Sequence, residues 1–451
     1  MKTRAIPTLI SALFVLSFSS CAIDFDPGEW TKSEDLSGVS ESSSLNSQES
    51  KGEMRFILNE NGESYSVAAG LSGSKGDIVV PSIHNGLPVT RVKKEGFRLT
   101  KIESITLPDS IVEIEESAFA ECYDLVEVSL GKGVMTIGDS AFSDSRDIEE
   151  IIIPDSTVTI GDAAFASCYA SFPTLGKNVK YIGDGAFYDC RGIVNAAILP
   201  EGLTYLGSWA FALTSIRMAY IPMSVTYIGI GAFSDNHLLE HISVDTENEN
   251  YASIGGVLYD KAQNEVLCFP SAKSPVSILE GVSDIGDASY YKCSYFLENL
   301  TIPGSVIRIG ELAFAENYDL KTLTLGSNVV TMGFGAFSEC NNLEEVTLNE
   351  GLRAIPGSCF SECLGIRSIS LPSSIESIGA HAFMDDQHLG SLRIKRGLKS
   401  IGDHAFYRCD ELDAIDYEGT KYEWGQISKT ADWKNGSRLK TVHCSDGDET
   451  V

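Results

Sequence analysis

After its first twenty residues the sequence has no long apolar segment. No later stretch reaches the roughly 18 uninterrupted apolar residues that a membrane-spanning helix needs. Basic residues are also scarce, with 34 Lys and Arg against 63 Asp and Glu and a net charge of -29. Such an acidic chain repels phosphate backbones and anionic lipid headgroups. We therefore expect no transmembrane helix in the mature chain and no nucleic-acid partner.

The sequence also lacks the common signatures of catalysis and cofactor binding. It contains no nucleophile elbow, no phosphate-binding glycine loop and no isolated pair of carboxylates. The many Asp and Glu residues will bring some carboxylates together by chance, which is not evidence of an acid and a base. We predict that the protein is not an enzyme and binds no cofactor or metal.

What the sequence has in abundance is a repeat. The segment Ile-Gly-Asp-x-Ala-Phe, with variations, recurs about every 23 residues, which predicts a stacked solenoid of one domain. We expect about thirteen rungs, mainly β with short turns or helical turns. Only the step from Phe233 to Tyr290 breaks the interval. The aromatic positions of the successive copies are Phe97, Phe119, Phe142, Phe165, Phe187, Phe211, Phe233, Tyr290, Phe314, Phe337, Phe360, Phe383 and Phe406.

Each position of the repeat has a predicted role. Alternating Leu343, Val346 and Leu348 indicate a short strand, and turns such as Pro372-Ser373-Ser374 end it. One glycine position, such as Gly310, indicates either positive φ or close backbone approach. Because one rung cannot offset its own ordering entropy, we expect the rings to stack into one continuous apolar interior.

These features resemble the BspA-type leucine-rich repeat family of bacterial surface proteins. The family unit is approximately L-x-x-I-x-I-P-x-S-V-x-x-I-G-x-x-A-F-x-x-C, and the resemblance spans about residues 54–444. It implies a solenoid over 54–414 with an N-terminal cap over 54–92, and a C-terminal cap and tail over 415–451. An insertion over 244–275 is interpreted as a β-hairpin, with Gly256–Tyr259 and Glu265–Phe269 as its two strands.

The N-terminus predicts export. Residues 1–20 carry Lys2 and Arg4 before an apolar run, which is typical of a secretory signal peptide. The following Cys21 resembles the lipidated cysteine of bacterial lipoproteins, although an ordinary secretory signal remains the alternative. Residues 21–53 are predicted to form a flexible Ser-rich, acidic tether. We expect an outer-membrane lipoprotein of the bacterial cell envelope, exposed at the surface and held to the membrane only by its lipid anchor.

Cysteines recur three residues after the aromatic position. Thr, Ser, Asn and Asp fill this position in other rungs, so we predict buried free thiols rather than disulfides. Neighbouring rungs lie within disulfide reach, which leaves Cys168–Cys190 and Cys340–Cys363 as the alternative. The cysteines of this position are Cys122, Cys168, Cys190, Cys293, Cys340, Cys363 and Cys409.

Two segments partly match metal-binding motifs. His237–His241 matches the H-x-x-E-H motif, which needs a helix, but the repeat puts Leu239 and Ile242 at buried strand positions. The acidic run 245–250 lacks the glycine and final glutamate of a calcium loop. We interpret the first as non-helical and the second as a solvated loop.

One outward position of the strands forms a row along the predicted solenoid, about 60 Å long at 4.8 Å per rung. Apolar residues replace the usual polar residue at positions in the middle of the row, which makes that stretch the candidate contact patch. The resemblance implies adhesion to host matrix proteins or to other cells; the alternatives are a glycan-binding envelope protein and, disfavoured, a hydrolase. The candidate binding face consists of Ile152, Ile198, Met218, Tyr220, His241, Ser243, Thr301, Thr324 and Thr347.

Overall fold

A computed structural model describes residues 54–71, 73–172, 174–293 and 297–451, without the side chain of Ile198. The predicted signal peptide, Cys21 and the tether over 21–53 lie outside the described residues. Within them the predicted leucine-rich repeat solenoid is confirmed, since successive repeats form parallel strands on two faces and enclose the apolar core between them.

The longer strands line one face, which we call the long-strand face. Their side chains alternate between core and solvent, as in β27, where Ile369 and Leu371 are buried and Ser368 and Ser370 are exposed. These strands are β6 (Lys101–Thr106), β8 (Glu127–Ser129), β12 (Val194–Ile198), β14 (Ser215–Ile221), β16 (His241–Val244), β21 (Asn299–Thr301), β23 (Thr322–Thr324), β25 (Glu345–Thr347), β27 (Ser368–Leu371), β29 (Ser391–Ile394), β31 (Ala414–Tyr417) and β33 (Thr441–Cys444).

Two-residue strands line the other face, which we call the short-strand face. They follow the Pro-Ser-type turns and precede the repeated glycine. They are β7 (Glu113–Ile114), β9 (Thr136–Ile137), β10 (Thr159–Ile160), β11 (Tyr181–Ile182), β13 (Tyr205–Leu206), β15 (Tyr227–Ile228), β20 (Asp284–Ile285), β22 (Arg308–Ile309), β24 (Thr331–Met332), β26 (Ala354–Ile355), β28 (Ser377–Ile378), β30 (Ser400–Ile401) and β32 (Ser428–Lys429).

The remaining elements belong to the ends and to the insertion. At the C-terminal end, Thr420 caps α1 in a capping box with Glu423, and Trp424 is buried against the last rungs. The elements are β1 (Met54–Leu58), β2 (Tyr65–Ala69), β3 (Lys75–Val79), β4 (Ile83–His84) and β5 (Leu87–Val92) at the N-terminal end, β17 (Tyr251–Ile254), β18 (Val257–Asp260) and β19 (Glu265–Cys268) in the insertion, and α1 (Lys421–Gln426) and β34 (Gly447–Thr450) at the C-terminal end.

The solenoid has about 16 turns, three more than the thirteen predicted. The additional rungs carry β2, β19 and β32 on the short-strand face, one in each cap and one in the insertion. They were not predicted because none of them carries the Ile-Gly-x-x-Ala-Phe segment on which the count depends.

The aromatic rings stack as predicted. Phe97 to Phe233 form one stack, with neighbouring centroids 5.0–6.1 Å apart. Tyr290 takes the predicted ring position, 4.9 Å from Phe314, in a second stack that runs to Phe406. Phe269, which carries no repeat motif, begins this second stack 5.0 Å from Tyr290.

The insertion divides the apolar interior. The predicted hairpin is confirmed between β18 and β19, and β17 adds a third antiparallel strand. Leu258 of β18 packs into the N-terminal core, whereas Val257 and Tyr259 on its other side pack into the C-terminal core. The expected single continuous interior is therefore wrong: the described residues form two apolar cores, because the alternating side chains of β18 point into different halves.

Glycine is required at the repeated position because the backbones of neighbouring rungs approach each other closely there. A Cβ atom on Gly310 would lie 2.6 Å from the backbone nitrogen of Asp287 in the preceding rung. Positive φ, the other explanation, is wrong for this position: it occurs instead two residues before and two after the ring, as at Ser117 (φ 54°) and Glu121 (φ 57°) around Phe119.

The position three residues after the ring is a buried donor site. Cys363 Sγ donates to the carbonyl of Phe337 in the preceding rung at 3.1 Å, and Asn236 Nδ2 donates to that of Phe211 at 2.7 Å. The cysteines of this position are free and buried, as predicted. Burial raises their pKa, for example that of Cys340 to about 12, because the thiolate would lose its hydration.

Asp386 occupies this donor site and can donate only when protonated. Its Oδ1 accepts the amide of Cys363 at 2.7 Å, while its Oδ2 is buried without a partner. In the same geometry, Asn236 Oδ1 accepts the amide of Thr214 and its Nδ2 donates to carbonyls. Burial accordingly raises the pKa of Asp386 well above its usual value.

We expect Asp386→Asn to stabilise the protein at neutral pH by about 1–3 kcal/mol, because an amide supplies the missing donor. A carboxyl group whose pKa is raised by folding contributes fully to stability only below the pKa it has in the unfolded chain. This contribution is lost as the pH rises through the pKa it has in the folded protein. Thermal melts of variant and wild type should therefore differ at pH 7.5 and converge near pH 4. Asp410→Asn, on an exposed carboxylate, serves as the control; an equal gain there would show that only net charge matters.

Candidate functional site

The predicted row on the long-strand face is aligned as expected within each sheet. Thr301, Thr324 and Thr347 are direct neighbours on β21, β23 and β25. Ile198 and Tyr220 are neighbours on β12 and β14, and Ser243 follows on β16. The repeat period alone placed these residues in register.

The row is not one uninterrupted ladder. The long strands form four separate sheets, β3-β6-β8, β12-β14-β16, β21-β23-β25 and β27-β29-β31-β33-β34. Between β8 and β12 the described residues pair only through isolated bridges, and in this stretch Phe172 packs edge-on against Phe165 and Phe187, each at 5.1 Å. The insertion interrupts the row a second time, and a third break separates β25 from β27.

The centre of the row carries exposed apolar side chains. Ile152 is 58% exposed and Met218 is 54% exposed. Met218 lies directly beside His241 on the neighbouring strand, and His241 is also exposed. Next to them Arg217 and Glu240 form an exposed ion pair at 3.2 Å. An apolar centre with a charged rim is the usual anatomy of a protein-binding surface.

Tyr220, by contrast, is held in place. Its hydroxyl donates to Asp245 Oδ2 at 2.7 Å, and this bond raises the pKa of Tyr220 to about 12. Asp245 begins the acidic run interpreted as a solvated loop, yet Asn248 within that run is fully buried and donates to the carbonyl of Pro222 at 2.8 Å. The loop is therefore anchored in the fold, and Tyr220 contributes to it rather than offering a free ring.

The threonine part of the row is polar and exposed. Thr301, Thr324 and Thr347 all point to solvent, and Thr322 next to them donates to Asn299 Oδ1 at 2.8 Å. This part of the face offers hydroxyl groups without apolar area. The chemistry of the candidate face thus changes along the solenoid, from apolar around Met218 to polar around Thr324.

The His237–His241 segment is not helical, as predicted. Residues 237–238 form a turn and His241 begins β16, while Leu239 and Ile242 are fully buried. The two histidines therefore belong to a turn and a strand and do not share a helical face.

A surface feature that the sequence analysis missed lies on the short-strand face. Tyr181, Tyr205 and Tyr227 stack on one another at 4.5 and 4.7 Å with nearly parallel rings. Burial raises the pKa of Tyr227, which nevertheless is the most exposed of the three. Their equal distance from the ring positions was the available signal. Since both faces of Tyr205 are covered, the stack presents mainly ring edges to solvent.

Among the described residues, none of the helices is both long and apolar enough to traverse a lipid bilayer.

Known proteins of similar structure are bacterial repeat proteins. A leucine-rich cell surface protein of Faecalibacterium prausnitzii shares 24% identity over 84% of this chain and 97% of its own, with a TM-score of 0.60. A leucine-rich repeat protein of Eubacterium ventriosum shares 21% identity over 90% of this chain and 100% of its own, with a TM-score of 0.63. The pneumococcal vaccine antigen PcpA shares 21% identity over 86% of this chain and 96% of its own, with a TM-score of 0.51.

The comparison with curated proteins gives no match. The family model for the BspA type leucine-rich repeat region matches residues 90–173, 158–271, 263–389 and 353–428, which together run without a gap from 90 to 428. These matches cover all rungs that the repeat motif predicted except part of the first. The chain belongs to the BspA type leucine-rich repeat family.

Proposed function

We propose that this protein is a lipid-anchored protein of the bacterial cell surface that binds other proteins through its long-strand face. Its partners are host matrix proteins or proteins of other cells, so its role is adhesion. It has no enzymatic role. Support for the surface location comes from the export signal and Cys21 in the sequence and from the similarity to a leucine-rich cell surface protein.

The observation that carries this proposal is the exposed apolar centre of the long-strand face. Ile152 and Met218 are each more than half exposed to water on a face whose other row positions are mainly polar. Large exposed apolar side chains bordered by charged residues, as Met218 is by Arg217 and Glu240, are typical of protein contacts. A solenoid places them on a preformed surface, so little entropy is lost on binding.

Glycan binding is the alternative function. It would be favoured by exposed aromatic faces, on which sugar rings stack. In the described part of the chain, Tyr220 is fixed by Asp245 and the faces of Tyr205 are covered by its neighbours. These two tyrosines therefore support the alternative less than Met218 and Ile152 support protein binding.

We expect Met218→Glu to weaken binding to a matrix protein about tenfold, because a charge replaces an apolar contact at the centre of the face. Surface plasmon resonance of the purified protein over immobilised matrix proteins measures this, and a glycan array is probed in parallel. Met135→Glu is the matched control, since Met135 is 51% exposed but lies next to β9 on the short-strand face.

Equal loss of binding in both variants would show that added negative charge, rather than the long-strand face, is responsible. Saturable binding to glycans without binding to any matrix protein would reverse the order of the two functions. Unchanged binding by Met218→Glu would place the contact on another face.

A further inference from the structure

The rung formed by the insertion is shorter than its neighbours. Val266 pairs with Ile285 on the short-strand face, and Phe269 stacks on Tyr290. Only two residues connect Val266 to Phe269, whereas four connect Ile285 to Tyr290. This rung therefore lacks most of the Gly-Asp-x-x loop that its neighbours place beside the short strands.

The missing loop leaves a notch on the short-strand face between Ile230 of one rung and Asp287 of another. The cavity has a volume of about 90 Å³. Its floor is apolar and buried, and Ile230 on its rim is 39% exposed. The residues that line it include Ile230, Phe233, Leu258, Glu265, Cys268 and Asp287.

The polar side of the notch carries an excess of negative charge. Arg308 contacts Glu265 at 2.9 Å and Asp284 and Asp287 at 3.2 Å each. A fourth carboxylate, Glu311, follows in the next rung; burial and the charge of Asp287 raise its pKa. Among the described residues, Arg308 is the only cation that forms ion pairs with Glu265, Asp284 and Asp287. Burial raises the pKa of Glu265, and the charges of Asp284 and Asp287 act in the same direction, whereas Arg308 opposes them. One guanidinium thus stands against four carboxylates on this side of the notch.

Size and charge together select the occupant. At about 15 Å³ per water-sized group, the notch holds roughly six such groups, which matches one long side chain. It is too small for the usual small-molecule site of about 300–1,000 Å³. An anionic group is repelled by Glu265 and Asp287. A lysine side chain fits both surfaces, since its methylene groups cover apolar area while its ammonium remains at the polar rim.

We propose that this notch is an anchor pocket for a lysine side chain of a protein partner. The stem packs over Phe233, Leu258 and Cys268, and the ammonium lies at the rim within reach of the carboxylates of Glu265 and Asp287, which also bind Arg308. The inference depends on the proposed function in assuming a protein partner, but it concerns the short-strand face and not the face around Met218.

The test uses three fluorescent peptides of sequence Gly-Ser-Leu-X-Leu-Ser-Gly, in which X is lysine, Nε-acetyl-lysine or norleucine. Fluorescence anisotropy measures their binding to the solenoid. The lysine peptide is expected to bind saturably and at least about tenfold more tightly than the other two, since only lysine supplies charge-assisted hydrogen bonds. Equal binding of the norleucine peptide, or no saturable binding of the lysine peptide, would overturn the proposal.

The double variant Glu265→Gln, Asp287→Asn keeps the shape of the notch but removes two charges. It should lose the preference for lysine, whereas Glu60→Gln, Glu63→Gln, which removes two exposed charges at the N-terminal cap, should keep it. Thermal melts confirm that both variants are folded. Equal loss in the two variants would show unspecific attraction to an acidic surface and refute the pocket.

Failure of this inference is separable from failure of the proposed function. Met218→Glu leaves the notch unchanged and should not affect the lysine peptide. Matrix binding that is lost in Met218→Glu, together with no lysine preference, would retain the function and reject the pocket.

Discussion

Phe337→Ala is expected to lower the free energy of unfolding by about 3–5 kcal/mol, the usual effect of removing a buried aromatic side chain. Phe337 is fully buried and lies between Phe314 at 5.3 Å and Phe360 at 5.9 Å. Its loss leaves a cavity that touches two neighbouring rungs, and a stack of fixed rungs cannot close it. Thermal and urea denaturation of the variant measure the change.

Phe334→Ala is the control for this prediction. Phe334 lies three residues earlier in the same rung but is 43% exposed, so we expect its loss to cost less than about 1 kcal/mol. If the two variants melt together at the wild-type temperature, the ring stack does not carry the stability of the C-terminal half.

Gly333→Ala should also be strongly destabilising, by about 3 kcal/mol, although it adds only a methyl group. The new Cβ would lie 2.3 Å from the backbone nitrogen of Glu311 and 2.5 Å from the carbonyl carbon of Gly310. Both contacts are to backbone, which cannot move aside as a flexible side chain does. The rungs must separate, which weakens the pairing of β22 with β24 directly before Gly333.

Gly304→Ala separates this steric effect from the general preference for glycine. The nearest atom to its new Cβ would be Ser327 Oγ at 3.7 Å, an ordinary contact. We expect this variant to be as stable as the wild type or slightly more stable, since alanine restricts the unfolded chain. Denaturant unfolding of both variants provides the comparison, and equal stability would mean that close approach does not select glycine at position 333.

The regular part of the fold could be predicted from the sequence because the repeat fixes both register and burial. The period placed Phe337, Tyr290 and Thr324 correctly, since residues at equal positions of a solenoid have equal environments. The free, buried cysteines followed from the same reasoning, because Asn236 and Asp386 share their position. In these places local pattern and tertiary packing agree.

What could not be predicted lies where the repeat changes. Phe269 has no motif, and only the pairing of β19 with β20 shows that it continues the ring stack. The alternation of strand residues predicts that Phe172 points outward. In the structure its ring turns inward and packs against the core, which the alternation alone does not reveal. The candidate site depends on such irregular places, since the notch exists only because β19 leads to Phe269 through two residues.

The two cores on either side of β18 have a consequence for how such a chain can change length. Leu258 packs in the N-terminal core and Tyr259 in the C-terminal core. A whole repeat that is gained or lost at a distance from β18 therefore alters only the half that contains it. Unequal recombination between near-identical repeats could therefore lengthen one arm of the protein, and with it the row of exposed side chains, while the other arm keeps its residues in place.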